Sequence, residues 1–259
     1  MDECMVSKKI IAFAGKGGVG KTSLSALSVK LLAEKYPDAK ILAIDADPAV
    51  GLSTALGVHV THTVDDIRMK FINTLENGRK TEAIEVLNEA HYEITDSIVE
   101  TDKFAFLAIG RPEGAGCYCK VNSFLKDIIS QLSESFDYIV IDGEAGIEQV
   151  NRRVMEKVTH LILVSDASRK GLNVIQTIHR VADQLCMYEK TGVILNRMKN
   201  DSIKHLIQVE NLPIFGFLPE DEMLAMYDIE GKSLVQLDEN TSGNLLATLK
   251  EALIQADIL

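Results

Sequence analysis

Short runs of apolar residues recur along this chain, and most of them lead into longer segments in which apolar residues return with helical spacing. Continuous runs of Val, Ile, Leu and Ala are typical of parallel strands that are buried on both faces. Such runs predict strands at Ile10–Ala14, Ile41–Ile44, Phe104–Ile109, Tyr138–Ile141, Leu161–Val164, Val193–Leu195 and Ile214–Leu218. Helical spacing is found in Thr22–Leu32, Ser123–Leu132 and Leu172–Met187.

This alternation of strand and helix predicts an α/β fold with a doubly wound, mainly parallel sheet and helices on both faces. In such sheets the ligand binds beyond the carboxyl ends of the strands. The pattern becomes irregular and polar over about Gly57–Thr101, where a helix is predicted at Arg79–His91. We interpret this segment as a partly helical insertion that covers one side of the sheet. Residues 1–259 are otherwise interpreted as a single domain with one sizeable core.

The charge of the chain limits its partners. It carries 27 Lys and Arg residues against 38 Asp and Glu residues, which gives a net charge of −11 at pH 7. This charge would repel the phosphates of nucleic acids and of lipid head groups. The carboxyl-terminal stripe over Leu245–Asp257 is amphipathic but not basic, so it is predicted to pack on the sheet. We expect a cytoplasmic protein that binds neither nucleic acid nor membrane.

A glycine-rich loop joins the first predicted strand to the first predicted helix. Its glycines let successive backbone N–H groups converge on phosphate oxygens, and the amino end of the helix adds partial positive charge. Lys21 is expected to reach the β and γ phosphates of a nucleotide, and the Thr22 hydroxyl to bind Mg²⁺. The predicted nucleotide-binding run is Gly15, Lys16, Gly17, Gly18, Val19, Gly20, Lys21, Thr22 and Ser23.

A second lysine, Lys16, lies near the start of this loop. Here the sequence resembles the deviant Walker A ATPases, the family of MinD, ParA and the nitrogenase iron protein, whose pattern has a lysine at this position. The resemblance implies a P-loop fold of that type and a homodimer that forms on nucleotide or metal binding. It also implies that Lys16 reaches the nucleotide of the second subunit when two molecules close face to face. An ordinary surface lysine is the alternative.

Acidic residues follow two predicted strands at the same end of the sheet. Asp45 and Asp47 lie in the run Asp-Ala-Asp-Pro, and Asp142 opens the run Asp-Gly-Glu-Ala-Gly, which ends at Gly146. Members of the family carry switch I and switch II at these places. The resemblance implies that Asp45 and Asp142 hold water on Mg²⁺, that Asp47 orients the attacking water, and that the Gly146 backbone meets the γ-phosphate. Alternatively, Asp45 or Asp47 caps the following helix.

Two further loops are interpreted as the base side of the site. Guanine-specific relatives place an aspartate two positions beyond a lysine, and the segment at Asn196 and Arg197 has no such pair. This segment and the later one from Pro219 to Asp221 resemble the adenine-side loops of the MinD group. ATP or ADP with Mg²⁺ is therefore the expected cofactor, and ATP hydrolysis is the expected reaction.

Cys117 and Cys119 form a Cys-x-Cys pair. In an extended chain both side chains point to one face, with Cα atoms roughly 7 Å apart, so two thiolates could bind one soft metal ion. Two ligands do not close a four-coordinate site, and a two-fold axis could supply the other two from a second subunit. Buried structural thiols, a redox dithiol and a structural zinc site are alternatives. Cys4 and Cys186 are interpreted as incidental.

Three runs together carry a more specific resemblance: Gly110–Cys119, Asp142–Glu148 and Leu163–Leu172. They resemble the CooC-type accessory ATPases of nickel carbon monoxide dehydrogenase maturation and their relatives that serve acetyl-CoA synthase. The resemblance implies a homodimer that holds Ni²⁺ or Zn²⁺ at the cysteine pair and delivers nickel to such an enzyme. A positioning ATPase of the MinD/ParA kind and an iron–sulfur electron-transfer ATPase remain alternatives.

Overall fold

The computed structural model describes residues 8–47, 51–77, 89–90, 92–110, 127, 130–131, 134–143, 158–184 and 188–259. Its strands are β1 (Lys9–Gly15), β2 (Ile41–Asp45), β3 (Val99–Glu100), β4 (Ala105–Ala108), β5 (Tyr138–Asp142), β6 (His160–Ser165), β7 (Lys190–Met198) and β8 (Ile214–Pro219). Its helices are α1 (Lys21–Lys35), α2 (Gly51–Leu56), α3 (Val64–Glu76), α4 (Arg169–Gln184), α5 (Glu222–Glu230) and α6 (Glu239–Gln255), with short 3-10 helices at Asp201–Leu206 and Leu234–Gln236.

The strands form one eight-stranded sheet in the order β3-β4-β2-β5-β1-β6-β7-β8. Neighbouring strands are parallel except for β3, which runs antiparallel to β4 at one edge. Strand β1 lies in the interior of the sheet between β5 and β6, so the loop that follows it opens at the middle of the carboxyl edge. The predicted α/β fold with a mainly parallel sheet is confirmed.

The two faces of the sheet are both covered, because successive side chains of a strand point to opposite sides. On one face Ile11 and Phe13 of β1 share a buried cluster with α1, α2 and α6. On the other face Ala12 and Ala14 share a cluster with α3 and α4. Helix α6 contributes Leu245, Leu249 and Leu253 to the first cluster and packs on β8 and α1. The amphipathic carboxyl-terminal stripe therefore packs on the sheet, as predicted.

The predicted helices are found where the structure describes them. Helix α4 begins at Arg169, before the predicted start, and the predicted end at Met187 lies outside the described residues, as do most of Ser123–Leu132 and Arg79–His91. Among the described residues, helices α2, α3 and α5 were not predicted. Helix α3 lies in the irregular polar segment, yet it buries Val64, Ile67 and Ile72. Helix α5 follows β8.

Among the residues that the structure describes, every helix is too short or too polar to span a lipid bilayer.

Candidate functional site

The glycine-rich loop lies close to two neighbouring strands, to the backbone of one and to a side chain of the other. A Cβ atom on Gly15 would lie 2.1 Å from the carbonyl oxygen of Val164 on β6, so only glycine fits. Gly20 precedes α1 with a φ of 93°, and a Cβ atom there would lie 2.5 Å from Nδ2 of Asn196. Gly17 and Gly18 have no atom within 4 Å of an added Cβ. The loop is therefore packed at both ends and open in its middle.

Asn196 is a direct support of the loop. It is buried near the end of β7, and its Nδ2 donates a 2.9 Å hydrogen bond to the carbonyl oxygen of Val19. Arg197, the next residue, is exposed and has a φ of 59°. The amide of Asn196 therefore contacts the phosphate loop, and the predicted contact of Asn196 with the base stays a prediction. The bond joins residues 177 positions apart, so no local pattern could have predicted it.

The other predicted base-side residues belong to the end of β8. Pro219 pairs with Met198 on β7. Asp221 caps α5, because its Oδ1 accepts 2.8 Å hydrogen bonds from the Leu224 backbone N–H and from the Ser242 hydroxyl. One oxygen of this carboxylate is thus committed to the fold. A nucleotide contact by either residue stays a prediction.

The two lysines of the loop have different surroundings. Lys21 is buried at the start of α1, and its Nζ donates to the Lys16 carbonyl oxygen at 3.3 Å. The Nζ of Lys16 lies 3.9 Å from Oδ2 of Asp166, which follows β6, and both side chains are about one third exposed. Asp166 lies in the run Leu163–Leu172, and the sequence alone predicted no role for it. It is the acidic partner of the family-specific lysine.

Two predicted magnesium-site carboxylates lie side by side. Asp45 ends β2 and Asp142 ends β5, and the two residues are register partners on these adjacent parallel strands. Both are fully buried. Asp45 accepts backbone N–H bonds from Asp47 at 3.1 Å and from Leu52 in the first turn of α2 at 2.9 Å. Asp45 thus holds the start of α2, the capping alternative left open above, while it also faces Asp142.

Asp142 has one engaged and one free oxygen. Its Oδ1 accepts from the hydroxyl of Ser25 on α1 at 3.4 Å. Its Oδ2 is buried and, among the described residues, has no hydrogen-bond partner. A buried carboxylate oxygen without a donor is costly and is a ligand that Mg²⁺ prefers. The oxygen chemistry of this site therefore fits a hard cation.

The pKa values of both carboxylates reflect their surroundings. Burial raises the pKa of Asp142 to about 7, although the Thr22 side chain and Lys21 oppose the shift. Burial also raises the pKa of Asp45 to about 6, against the hydrogen bonds that it accepts from the backbone. The negative charge of Asp45 adds to the shift at Asp142, and that of Asp47 adds to the shifts at both carboxylates. A cation bound beside such a pair would favour the ionised form of both carboxylates.

Several predicted residues lie elsewhere or beyond the described part of the chain. Asp47 is partly buried two positions after Asp45. Gly146 and all of the cysteines, including the Cys117 and Cys119 pair, lie outside the described residues. Within the described ranges, no three His, Cys, Asp or Glu side chains are grouped as a metal site. The cysteine-based metal site therefore stays a prediction.

A cavity of about 700 Å³ adjoins the phosphate loop on its α4 side. Lys16 and its glycine neighbours line it together with the first turns of α4, including Arg169, Lys170 and Asn173. The cavity brings three cationic side chains together on a chain that is acidic as a whole. It gives Lys16 an open surface on which to meet another molecule.

Comparison with known proteins places this geometry in a family. Residues 10–235 match the family described as the CobQ/CobB/MinD/ParA nucleotide binding domain. An uncharacterised ATP-binding protein of Methanocaldococcus jannaschii is 37% identical over 89% of this chain and 92% of its own length. The carbon monoxide dehydrogenase accessory protein CooC of Rhodospirillum rubrum is 26% identical over 88% of this chain and 89% of its own.

A solved structure agrees on the fold. The septum site-determining protein MinD of Pyrococcus horikoshii, complexed with Mg-ADP, superimposes with a TM-score of 0.66 at 23% identity, over 97% of this chain and 100% of that one. The phosphate loop, the buried acid pair and the match over residues 10–235 lead to one conclusion. This chain belongs to the CobQ/CobB/MinD/ParA family of nucleotide-binding domains.

Proposed function

We propose that this protein is a Mg²⁺-dependent ATPase. One observation carries the proposal. The Asp142 carboxylate is buried at a strand end within reach of Lys21 and Thr22, and its Oδ2 has no partner among the described residues. A site that isolates a carboxylate oxygen in this way fits a hard cation. The relative in M. jannaschii, described as an ATP-binding protein, supports ATP as the nucleotide.

Each residue of the site has a proposed part in binding or hydrolysis. Bound Mg²⁺ would supply positive charge to the phosphate oxygens, held by the Thr22 hydroxyl and, through water, by Asp45 and Asp142. Lys21 would exchange its bond to the Lys16 carbonyl for the β and γ phosphates. Asp47 would orient the attacking water. The Gly146 backbone would meet the γ-phosphate, and the loops at Asn196 and Asp221 would flank adenine.

Removal of the Lys21 ammonium group, the side chain proposed to bind the phosphates, tests this proposal. Lys21→Ala is expected to abolish tight nucleotide binding and turnover, because the phosphate charge would lose its principal neutralising group. Lys35→Ala, at the exposed end of the same helix, serves as the matched control and should behave like the parent. ATP turnover by Lys21→Ala at the parent rate would exclude the phosphate-site assignment.

We further propose that ATP hydrolysis serves nickel delivery. In this proposal the protein is a homodimer that holds Ni²⁺ or Zn²⁺ between the Cys117 and Cys119 pairs of two subunits. Its client is carbon monoxide dehydrogenase or acetyl-CoA synthase. The cysteine pair in the sequence supports this role, as does the similarity to CooC of R. rubrum over 88% of the chain. Mg-ATP and metal would both favour the closed dimer.

The ligand count makes the metal proposal testable. Two thiolates from each chain should bind one ion per two chains, and binding should weaken as the pH falls because thiolates are the ligands. The double variant Cys117→Ser, Cys119→Ser should lose tight metal binding and metal-promoted dimerisation. The control is Cys4→Ser, Cys186→Ser, which should keep both. Equilibrium dialysis with metal analysis, paired with sedimentation, measures the two properties.

Two outcomes would overturn the metal proposal. One is a tightly held ion in each monomer, and the other is full metal retention after both Cys117 and Cys119 are changed. If the parent protein bound no metal and still dimerised on ATP, a nucleotide switch of the MinD/ParA kind would be favoured instead.

A further inference from the structure

Two fully buried serines of α1 use their hydroxyl groups differently. Ser28 Oγ donates to the Leu24 carbonyl oxygen one turn earlier at 2.7 Å, a common arrangement within helices. Ser25 Oγ donates instead to Oδ1 of Asp142 at 3.4 Å, on a strand 117 positions away. Ser25 is therefore bonded to a carboxylate of the proposed magnesium site.

Packing does not explain a serine at this position. The neighbouring Leu24, Ala26 and Leu27 are fully buried in the apolar cluster between α1 and the sheet. A hydroxyl in such a place lowers stability unless it finds a hydrogen-bond partner, and alanine would fill the space without that cost. The contact with Asp142 is the property that alanine would lack.

The position of Ser25 on the helix places it beside a proposed cation ligand. Thr22 and Ser25 are three residues apart, so their side chains lie on the same face of α1. Both contact Asp142. The contact with Ser25, which at 3.4 Å is long for an O–H···O hydrogen bond, favours the orientation about the Cβ–Cγ bond in which Oδ1 faces Ser25. Its unpartnered Oδ2 therefore stays directed away from Ser25 and is available to the site.

We propose that Ser25 is a positioning residue for Mg²⁺: it holds the Asp142 carboxylate in the orientation that presents Oδ2 to the cation and its water shell. This inference rests on the proposed nucleotide site. In this proposal Ser25 acts through Asp142 and is not itself a ligand of the cation or the nucleotide. Groups that orient metal ligands in this way typically change metal affinity or activity by roughly 10- to 100-fold when they are removed.

Two titrations test the proposal: calorimetric titration of Mg²⁺ into the ADP-bound protein, which measures cation affinity without turnover, and ATP turnover as a function of free Mg²⁺. Ser25→Ala should bind Mg²⁺ about tenfold more weakly and need about tenfold more free Mg²⁺ for half-maximal turnover, with a kcat near that of the parent once Mg²⁺ is saturating. Ser25→Thr, which keeps the hydroxyl, should restore the parent midpoint. Ser28→Ala loses an equally buried hydroxyl of the same helix without touching Asp142, so its magnesium midpoint should equal that of the parent.

The outcomes separate this inference from the proposed function. Equal magnesium midpoints for Ser25→Ala and Ser28→Ala would overturn the role of Ser25. A parent protein without magnesium-dependent turnover would instead remove the proposed function. If Ser25→Ala does not fold, Ser25→Cys takes its place, because a thiol has a similar volume and is only a weak donor. A parent-like midpoint in that variant would equally count against the proposal.

Discussion

Asp45 and Asp142 are register partners on adjacent parallel strands, and both carboxylates are fully buried where β2 and β5 end. Burial raises the pKa of both groups, and the charge of Asp45 raises the pKa of Asp142 further. In the absence of a cation, ionisation of the pair therefore lowers the stability of the folded protein. This relationship leads to a prediction that separates stability from activity.

Asp142→Asn should stabilise the protein at alkaline pH without Mg²⁺ while it impairs turnover. The folded pKa of about 7 lies above the ordinary value of 3.8, so this group favours folding at low pH, and that contribution is lost as the pH rises through about 7. The gain of the variant over the parent should be small at pH 4 and grow to roughly 2 kcal/mol or more at pH 8.

Chemical denaturation at pH 4 and pH 8 measures this difference. The exposed Asp102→Asn variant is the control and should follow the parent at both values. Mg²⁺ with nucleotide should stabilise the parent more than Asp142→Asn. A gain that is the same at both pH values would contradict a raised pKa at Asp142.

His160 gives the opposite dependence on pH. Burial, together with Lys9 and Lys190, lowers its pKa to about 4 from the ordinary 6.5. A depressed folded pKa means that stability is fully present above about 6.5 and is lost as the pH falls through about 4. His160→Asn should remove up to about 3 kcal/mol of this acid-induced loss. Denaturation midpoints measured between pH 7.5 and pH 4 test this prediction, with the exposed His205→Asn variant as control. If the midpoints of His160→Asn and of the parent fall with pH in parallel, the prediction is wrong.

Asn196→Ala should weaken nucleotide binding through the phosphate loop. The variant loses the 2.9 Å bond to the Val19 carbonyl, and a lost bond to a buried acceptor costs about 1–3 kcal/mol, so affinity should fall roughly tenfold. Inorganic tripolyphosphate, which has no base, separates the two possible roles. If Asn196 acts on the loop, ATP and tripolyphosphate lose affinity equally; a loss confined to ATP would assign Asn196 to the base. The exposed Asn244→Ala is the control.

Asp166→Asn should ease the ATP-dependent dimerisation proposed above. The change removes the negative charge 3.9 Å from Lys16 but keeps Oδ1, which accepts the Ser168 backbone N–H at 3.1 Å. Because both side chains of the pair are about one third exposed, its contribution is at most about 1 kcal/mol, which corresponds to a fivefold shift in the concentration for assembly. Sedimentation with ATP measures this shift against Asp228→Asn, and weaker assembly than the parent would contradict the prediction.

The sheet and the edge that carries the candidate site could be predicted because their signals are local. Buried parallel strands are continuous apolar runs, and the glycine loop, Asp45 and Asp142 all lie directly after such runs. Strand β3 was missed because two residues that pair antiparallel at an edge carry no such run. Helix α5 was missed because its apolar residues are not gathered on one face: Met223, Leu224 and Tyr227 pack on the core, whereas Met226 and Ile229 are exposed.

Contacts between distant parts of the chain could not be predicted in the same way. The bonds from Ser25 to Asp142 and from Asn196 to Val19 depend on how α1 and β7 lie against the centre of the sheet. A serine in a helix and an asparagine at a strand end have many ordinary explanations when the sequence is considered alone. Only the packed arrangement distinguishes these two side chains from their neighbours.

The close approach of Gly15 to β6 has a consequence for how this protein can diversify. The wall that confines Gly15 is the carbonyl group of Val164, which every amino acid possesses. Val164 can therefore be replaced by other side chains that fill the core, because the backbone carbonyl group beside Gly15 is unchanged by such a substitution. Gly15 has no such freedom. A saturation library of both positions should recover many functional residues at position 164 and only glycine at position 15. Tolerance to mutation is therefore high for the residue that contributes its backbone to the contact and low for the residue that has no room for a side chain.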